Sequence, residues 1–448
     1  MEQTAHATLN ASEVLILVVR TSVVLWCTAL SFAAWRWPVG ARWPIRYQLA
    51  AWFVIRLCGL VFLVFFSGLR LPGDIVAYKA QANLVLEGQM PNRDFATPYG
   101  WLFTYLLAGP LLIANHAFSI ALLFQVCEFV GLALVLRGAR RFLTAPWARN
   151  ACLLYLLNPA IVVCYWFGLQ EEVLLILGLG LLTAMLGGGR DLAKGIAAGV
   201  LFHATKLLSL WSIFPFLLVK RPATAIGFAL AFLGIFGLIA LAGASPVSFK
   251  FSRGWQNDPA VPDDDISHRI TYGNAWYLAS RAVPLLKRSP VPNLVALVAL
   301  AAAAFVVWRA ARSGIDPAVL VLSSTGLFTL VFLVFGSLTP PYFMGTAVLA
   351  LLVTLPKREE FRKYLPWLIL WTAVALVNYN LGALHFRMTA SSVSIPAWFS
   401  TLHYGLQVPQ ILLTAMMAWI AARFVCAEGA AATDRETRPC RRNPATAE

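Results

Sequence analysis

The sequence predicts an all-α integral membrane protein that crosses the bilayer many times, and three observations lead there. Of its 448 residues, 60% are hydrophobic and 12% charged, with a mean hydropathy of +0.73. A water-soluble fold has no interior large enough for that much apolar surface. Apolar runs of near-spanning length recur along the chain, and the short links between them alternate between basic and non-basic.

The runs fall at 13–35, 47–69, 117–136, 150–165, 173–187, 222–243, 291–310, 316–336, 338–356, 364–383 and 404–424. They imply roughly a dozen crossings at ~20 residues each. The first run is preceded by Glu2 and Glu13 without Lys or Arg and is interrupted by Arg20, so it reads as a membrane helix and not as a cleaved leader. One set of links carries Arg36/Arg42/Arg46, Arg137/Arg140/Arg141/Arg149, Arg190/Lys194, Lys220/Arg221, Arg309/Arg312, Lys357/Arg358/Arg362/Lys363 and the C-terminal arginines from Arg423 on. The positive-inside rule makes that side cytoplasmic. The net charge of +15 is thereby topology, not an interface for nucleic acid. The opposite set holds the links 70–98, 166–172, 244–290 and 384–403, which puts the N-terminus outside and the C-terminus inside.

Two segments break the pattern. Between Lys194 and Lys220 the charge bias demands an even number of crossings, yet the stretch is too short for two full helices, so it predicts a shallow hairpin with its apex near Lys206. Non-helical backbone at membrane depth needs protein or a wet cavity around it, which points to a polar interior. Segment 99–114 is apolar but would invert every later link if it crossed, so it rests on or dips into the outer leaflet. Trp101, Trp147, Trp166, Trp211, Trp276 and Trp398 fall at the expected interfaces. Cys27, Cys58, Cys127, Cys152 and Cys164 lie in apolar runs and Cys426 and Cys440 follow the last, with no CxxC site or disulfide framework. Residues 427–448 read as a disordered cytoplasmic tail.

Chemistry concentrates in 73–100, GDIVAYKAQANLVLEGQMPNRDFATPYG. Ile75, Tyr78, Ala82 and Val85 share one face of an amphipathic helix suited to the membrane surface, and Glu87-Gly88 ends it. Asp74 stands where an N-cap belongs, with Tyr78 one turn on; capping alone would explain it equally well. Asp94 is either a second carboxylate for chemistry, a partner for Arg93, or a turn residue.

These residues, namely Asp74, Tyr78, Gly88, Pro91, Arg93, Asp94, Phe95, Tyr99 and Gly100, resemble the first outer loop of GT-C fold glycosyltransferases, closest to those that use polyprenyl-phosphate-mannose. Asn158-Pro159, Gly168-Leu169-Gln170-Glu171-Glu172, Lys206-Leu207 and Tyr272-Gly273-Asn274-Ala275-Trp276-Tyr277 fit the same plan, and the likeness covers roughly 47–355. Two features depart from the family: the extra helix 13–35, and the Gln-Glu-Glu of the second acidic site. The resemblance implies a GT-C-like bundle with an N-terminal addition (1–46), a catalytic module (47–290) and C-terminal helices (291–426). It implies transfer of a sugar, mannose first, from a polyprenyl-phosphate donor to a lipid or glycan acceptor on the outer face of the cell membrane. Asp74 would be the base and Asp94 its reserve, with Tyr78, Arg93 and Tyr99 binding substrate.

Other candidates are read from position. Glu171 and Glu172 are either a solvated link or a carboxylate pair for the acceptor or a divalent metal, beside Gln170; no cofactor is specified. Lys206 lies about twelve residues above the inner link, a rise of about 18 Å, and a cation at that depth needs an anion such as a lipid phosphate. His203 is one turn earlier on the same face and is a packed histidine or a substrate contact. Lys250, Arg253 and Arg269 are phosphate ligands or headgroup contacts, and Asp263-Asp264-Asp265 a solvated turn. Arg56 and Glu128 lie mid-span and predict an interhelical ion pair. A transporter or lipid flippase would share the spans and buried charges but show paired halves, which are not seen. A polysaccharide polymerase or ligase would share the outward site and the lipid donor.

Overall fold

A computed structural model of the chain describes residues 11–66, 73–95, 97, 99–244, 273–287, 289–336, 341–390 and 395–437. They form a helical membrane bundle without a strand among them. The helices are α1 (Ala11–Arg36), α2 (Ile45–Val61), α3 (Gly73–Leu86), α4 (Trp101–Leu111), α5 (Ala117–Ala139), α6 (Ala145–Leu157), α7 (Val173–Ala184) and α8 (Asp191–Ala204). They continue as α9 (Leu210–Leu218), α10 (Pro222–Leu241), α11 (Ala275–Ala282), α12 (Val291–Ala311), α13 (Pro317–Phe335), α14 (Met344–Thr354), α15 (Leu365–Ala390) and α16 (Ala397–Thr437).

Eight helical segments among the described residues are long and apolar enough to cross a membrane, and α6 with the following turn Ile161–Phe167, bent by 63°, forms either a broken ninth span or a re-entrant loop. Asn158-Pro159 causes the bend: proline withholds an amide from the helix, and Asn158 Oδ1 accepts instead from Ala160 N at 2.9 Å. The expected spans 173–187 and 338–356 are corrected, because α7 has 12 residues and α14 has 11. All of α14 and most of α7 are buried, so they are apolar chiefly because protein surrounds them, not lipid. Segment 99–114 folds as the 11-residue α4, too short to span.

The expected hairpin is two short helices, α8 and α9, parted at Thr205-Lys206. α8 lies tight on α10: a methyl at Gly195 would meet Thr224 O at 2.0 Å, and one at Gly227 would meet Leu192 O at 2.2 Å. Small residues here let two backbones touch, as membrane helices require in the absence of a hydrophobic drive between them.

The basic links gather at one end. Arg149 donates to Ala41 O (3.1 Å), Lys194 to Gly188 O (2.6 Å) and Lys220 to Leu186 O (2.8 Å), while the Arg362 guanidinium lies 4.8 Å over Trp147. The tail assignment is corrected in part: α16 runs on to Thr437, because buried Glu428 accepts from Lys357 and from Arg358 Nε (2.7 Å). Residues 438–448 lie outside the described residues. Between α2 and α5, Arg56 and Glu128 meet at 2.6 Å, both fully buried, as their mid-span positions demand.

Candidate functional site

The site is built at the end of the bundle opposite the basic links, where α3, the link before α7, the α8–α9 break and the start of α14 converge. α3 buries Ile75, Tyr78, Ala82 and Val85, the face its periodicity predicts, and leaves Asp74 exposed. The helix begins at Gly73, so Asp74 sits inside the first turn and not at the N-cap; the unpaired amides there favour a carboxylate all the same. Its Oδ2 accepts from Gln170 Nε2 at 2.8 Å.

Gln170 opens the acidic run, and the residue before it, Leu169, holds φ +48°, a left-handed backbone that costs a branched side chain energy. That turn aims Glu171 and Glu172 inward. They are 3% and 0% exposed, which corrects the reading of a solvated link. Lys206 explains their burial: its ammonium donates to Glu171 and to Glu172 Oε1 (2.5 Å). Tyr78 donates its hydroxyl to the other oxygen of Glu171, and Tyr99 Oη lies 3.3 Å from Tyr78 Oη. Hydrogen bonds thus run from Lys206 through Glu171 and Tyr78 to Tyr99, with Gln170 linking the same loop to Asp74.

Aromatic rings close round the ammonium. Lys206 Nζ lies 5.6 Å from the Tyr99 and Tyr342 ring centres and 5.4 Å from that of Phe343. Gly100 brings Tyr99 there, since a methyl at Gly100 would meet His203 O at 2.2 Å. Tyr165 Oη donates to Tyr342 O at 3.0 Å, holding that turn. Burial, then the neighbouring Glu171, pushes the Glu172 carboxyl up to about 8 against the pull of Lys206. At neutral pH the cluster of two carboxylates and one ammonium therefore keeps a proton and carries little net charge.

Other candidates fall elsewhere. Arg93 and Asp94 form a two-bonded ion pair (2.9 and 2.7 Å) on the turn 91–95, where Asp94 also accepts from Met90 N at 2.7 Å. The Arg93 hydrogen bond, then the Met90 amide, hold the Asp94 carboxyl below its usual range. Asp94 is a turn carboxylate that orients Arg93, and neither joins the Lys206 chain among the described residues. His203 does not share a face with Lys206, because the helix ends at Ala204. Its ring packs against Phe232 and Phe236 (5.6 and 5.2 Å), with Nε2 3.2 Å from Phe232 O. Lys250, Arg253, Arg269, Asp263-Asp264-Asp265 and Tyr272 lie outside the described residues. No group of three His, Cys, Asp or Glu side chains spaced to hold a metal occurs among the described residues; both oxygens of Glu171 and Oε1 of Glu172 are turned to Lys206 and Tyr78, while Glu172 Oε2 is buried without a hydrogen-bond partner among the described residues.

Sequence reasoning missed Tyr342 and Tyr379. Tyr379, on α15, stands within electrostatic reach of Asp74, and Tyr342 within reach of Tyr379, Glu171 and Glu172. Aromatic residues inside apolar runs look like core, so only the fold singles them out. The neighbouring Asn378 is tied to α16, donating to Gln410 Oε1 (2.6 Å) and accepting from Gln407 Nε2 (3.1 Å). Compared with protein-family models, curated proteins and solved structures, the chain matches none of them.

Proposed function

We propose that this membrane protein is a glycosyltransferase of GT-C type that moves a sugar, mannose first, from a polyprenyl phosphate to a lipid or glycan acceptor on the outer or periplasmic face. The observation that carries the proposal is Asp74: an exposed carboxylate, without a cation partner among the described residues, held by Gln170 beside a buried Lys206–Glu171–Glu172 cluster. An exposed, oriented carboxylate is placed to take the acceptor hydroxyl's proton as its oxygen bonds to the anomeric carbon. The bond from that carbon to the phosphate oxygen breaks, and the polyprenyl phosphate leaves with the electron pair.

The buried cluster serves as scaffold in this reading. Held by both Glu171 and Glu172, Lys206 locks α3, the 168–172 link and the α8–α9 break into one frame and so fixes where Asp74 points. The unequal outer loops of the sequence, without matching halves, weigh for an enzyme over a transporter. The test is to incubate membranes containing the protein with radiolabelled polyprenyl-phosphate sugars and recover the label. Transfer to a lipid or glycan acceptor supports the proposal; uptake or flipping of an unconsumed lipid would favour the transporter.

A further inference from the structure

Helix α1 has no counterpart in the family the sequence resembles, yet it packs on α15, the helix that carries Tyr379. Thr21 Oγ1 accepts from Asn380 Nδ2 at 3.3 Å, and Ser31 donates to Leu157 O at 3.1 Å, so α1 is pinned to α15 and to the bend after α6. Thr21 and Asn380 are the immediate neighbours of Arg20 and Tyr379. Arg20 lies three residues into the span Leu17–Arg36, half-buried, and makes no hydrogen bond or ion pair among the described residues. Tyr379 stands within electrostatic reach of both Arg20 and Asp74.

The charges around it decide what Arg20 is for. Arg56, in the middle of its span, is matched by Glu128, and Lys206 by the Glu171–Glu172 pair. Among the described residues Arg20 has no carboxylate partner, and it stands just inside the end of its span, at a level a lipid phosphate can reach. Its planar fork suits two phosphate oxygens. Only 22% of its span is buried in protein, so a group reaching it from the bilayer arrives attached to a lipid.

We propose that Arg20 binds the phosphate of the lipid donor at the junction of α1 and α15, on the Tyr379 side of Asp74. The inference rests on the transferase reading and deepens it: the extra N-terminal helix supplies the phosphate site that Lys206, neutralised by Glu171 and Glu172, does not. In the departing step, the negative charge that grows on the phosphate would be met by the guanidinium. The ordinary alternative is an arginine that extends to the headgroup layer as an anchor, without preference for one lipid.

The test uses the full chain purified in detergent and follows its thermal unfolding while a polyprenyl monophosphate, the uncharged polyprenol of equal length, or inorganic phosphate is titrated in. The wild type is expected to bind the lipid phosphate at least about tenfold more tightly than the polyprenol, and Arg20→Gln to lose that preference. Arg20→Lys, which keeps the charge and guards against a folding defect, should retain part of it. Undiminished preference in Arg20→Gln would overturn the proposal, as would inorganic phosphate binding as tightly as the lipid phosphate. Binding does not depend on turnover, so the two readings fail separately. Arg20-dependent binding without sugar transfer would sink the transferase alone, and transfer unaffected by Arg20→Gln would sink the phosphate site alone.

Discussion

Gln170 Nε2 donates to Asp74 Oδ2 at 2.8 Å, so the helix that carries the exposed carboxylate is tied to the loop that carries the buried pair. The bond is one neutral amide to a carboxylate near the surface, worth about 1–2 kcal/mol in orientation. Gln170→Ala should therefore slow transfer by about tenfold and leave the melting temperature nearly unchanged. Gln170→Glu sets a second carboxylate against Asp74 and should cost more. Parallel rate and melting measurements on the two variants check the order.

Arg56 and Glu128 form the buried ion pair between α2 and α5. Removing one partner leaves a charge in a dry interior, so Arg56→Met or Glu128→Leu alone should destabilise by about 3–5 kcal/mol. The double variant should recover most of that loss. A double-mutant cycle on stability in detergent tests this, and additive losses would show that the two do not act as a pair.

Glu172 gives a pH signature. Its carboxyl, ordinarily near 4.5, is pushed up to about 8 by burial and by Glu171, so between those values the folded state holds a proton that the unfolded state has released. Stability must then fall as pH rises from about 4.5 to 8 and flatten beyond. Glu172→Gln, which stays neutral, should remove this contribution. Unfolding midpoints of both proteins across pH 5 to 9 supply the comparison.

Gly100 is a position where size alone should matter. A methyl there meets His203 O at 2.2 Å, a backbone atom that cannot swing aside. Gly100→Ala is expected to cost about 1–3 kcal/mol and to loosen Tyr99 from Lys206, lowering transfer as well as stability. Wild-type values for both would mean that the contact between this loop and the end of α8 is slack.

The membrane bundle was legible because lipid selects for one property, apolar length, and the Lys/Arg links mark one end; the Arg56–Glu128 pair was legible because neither charge has an alternative in a span. The short buried helices were misread, since hydropathy cannot distinguish protein from lipid as the surrounding medium. Ile75, Tyr78, Ala82 and Val85 announced their face by spacing, whereas Asp74, one turn before Tyr78 on the same stripe, owes its exposure to its place at the start of the helix, which spacing does not record. Glu171 and Glu172 read as solvent-facing because their partner, Lys206, lies in another helix pair and nothing in the local sequence records it. Tyr342 and Tyr379 gave no signal, as aromatic rings in apolar runs are ordinary core, and Arg20 looked like a mere interruption of the first span.

The most direct measurement compares sugar transfer by purified wild type and Asp74→Asn with a polyprenyl-phosphate sugar and the acceptor recovered from membranes. Asn is isosteric and caps or borders a helix start as well as Asp, and its amide oxygen can still accept from Gln170, so the fold and the tether are kept while the base is lost. The account predicts an unchanged melting temperature and a fall in rate of about 10²–10⁴-fold. Transfer at the wild-type rate by Asp74→Asn would contradict it and reduce Asp74 to a residue that only steadies the start of α3.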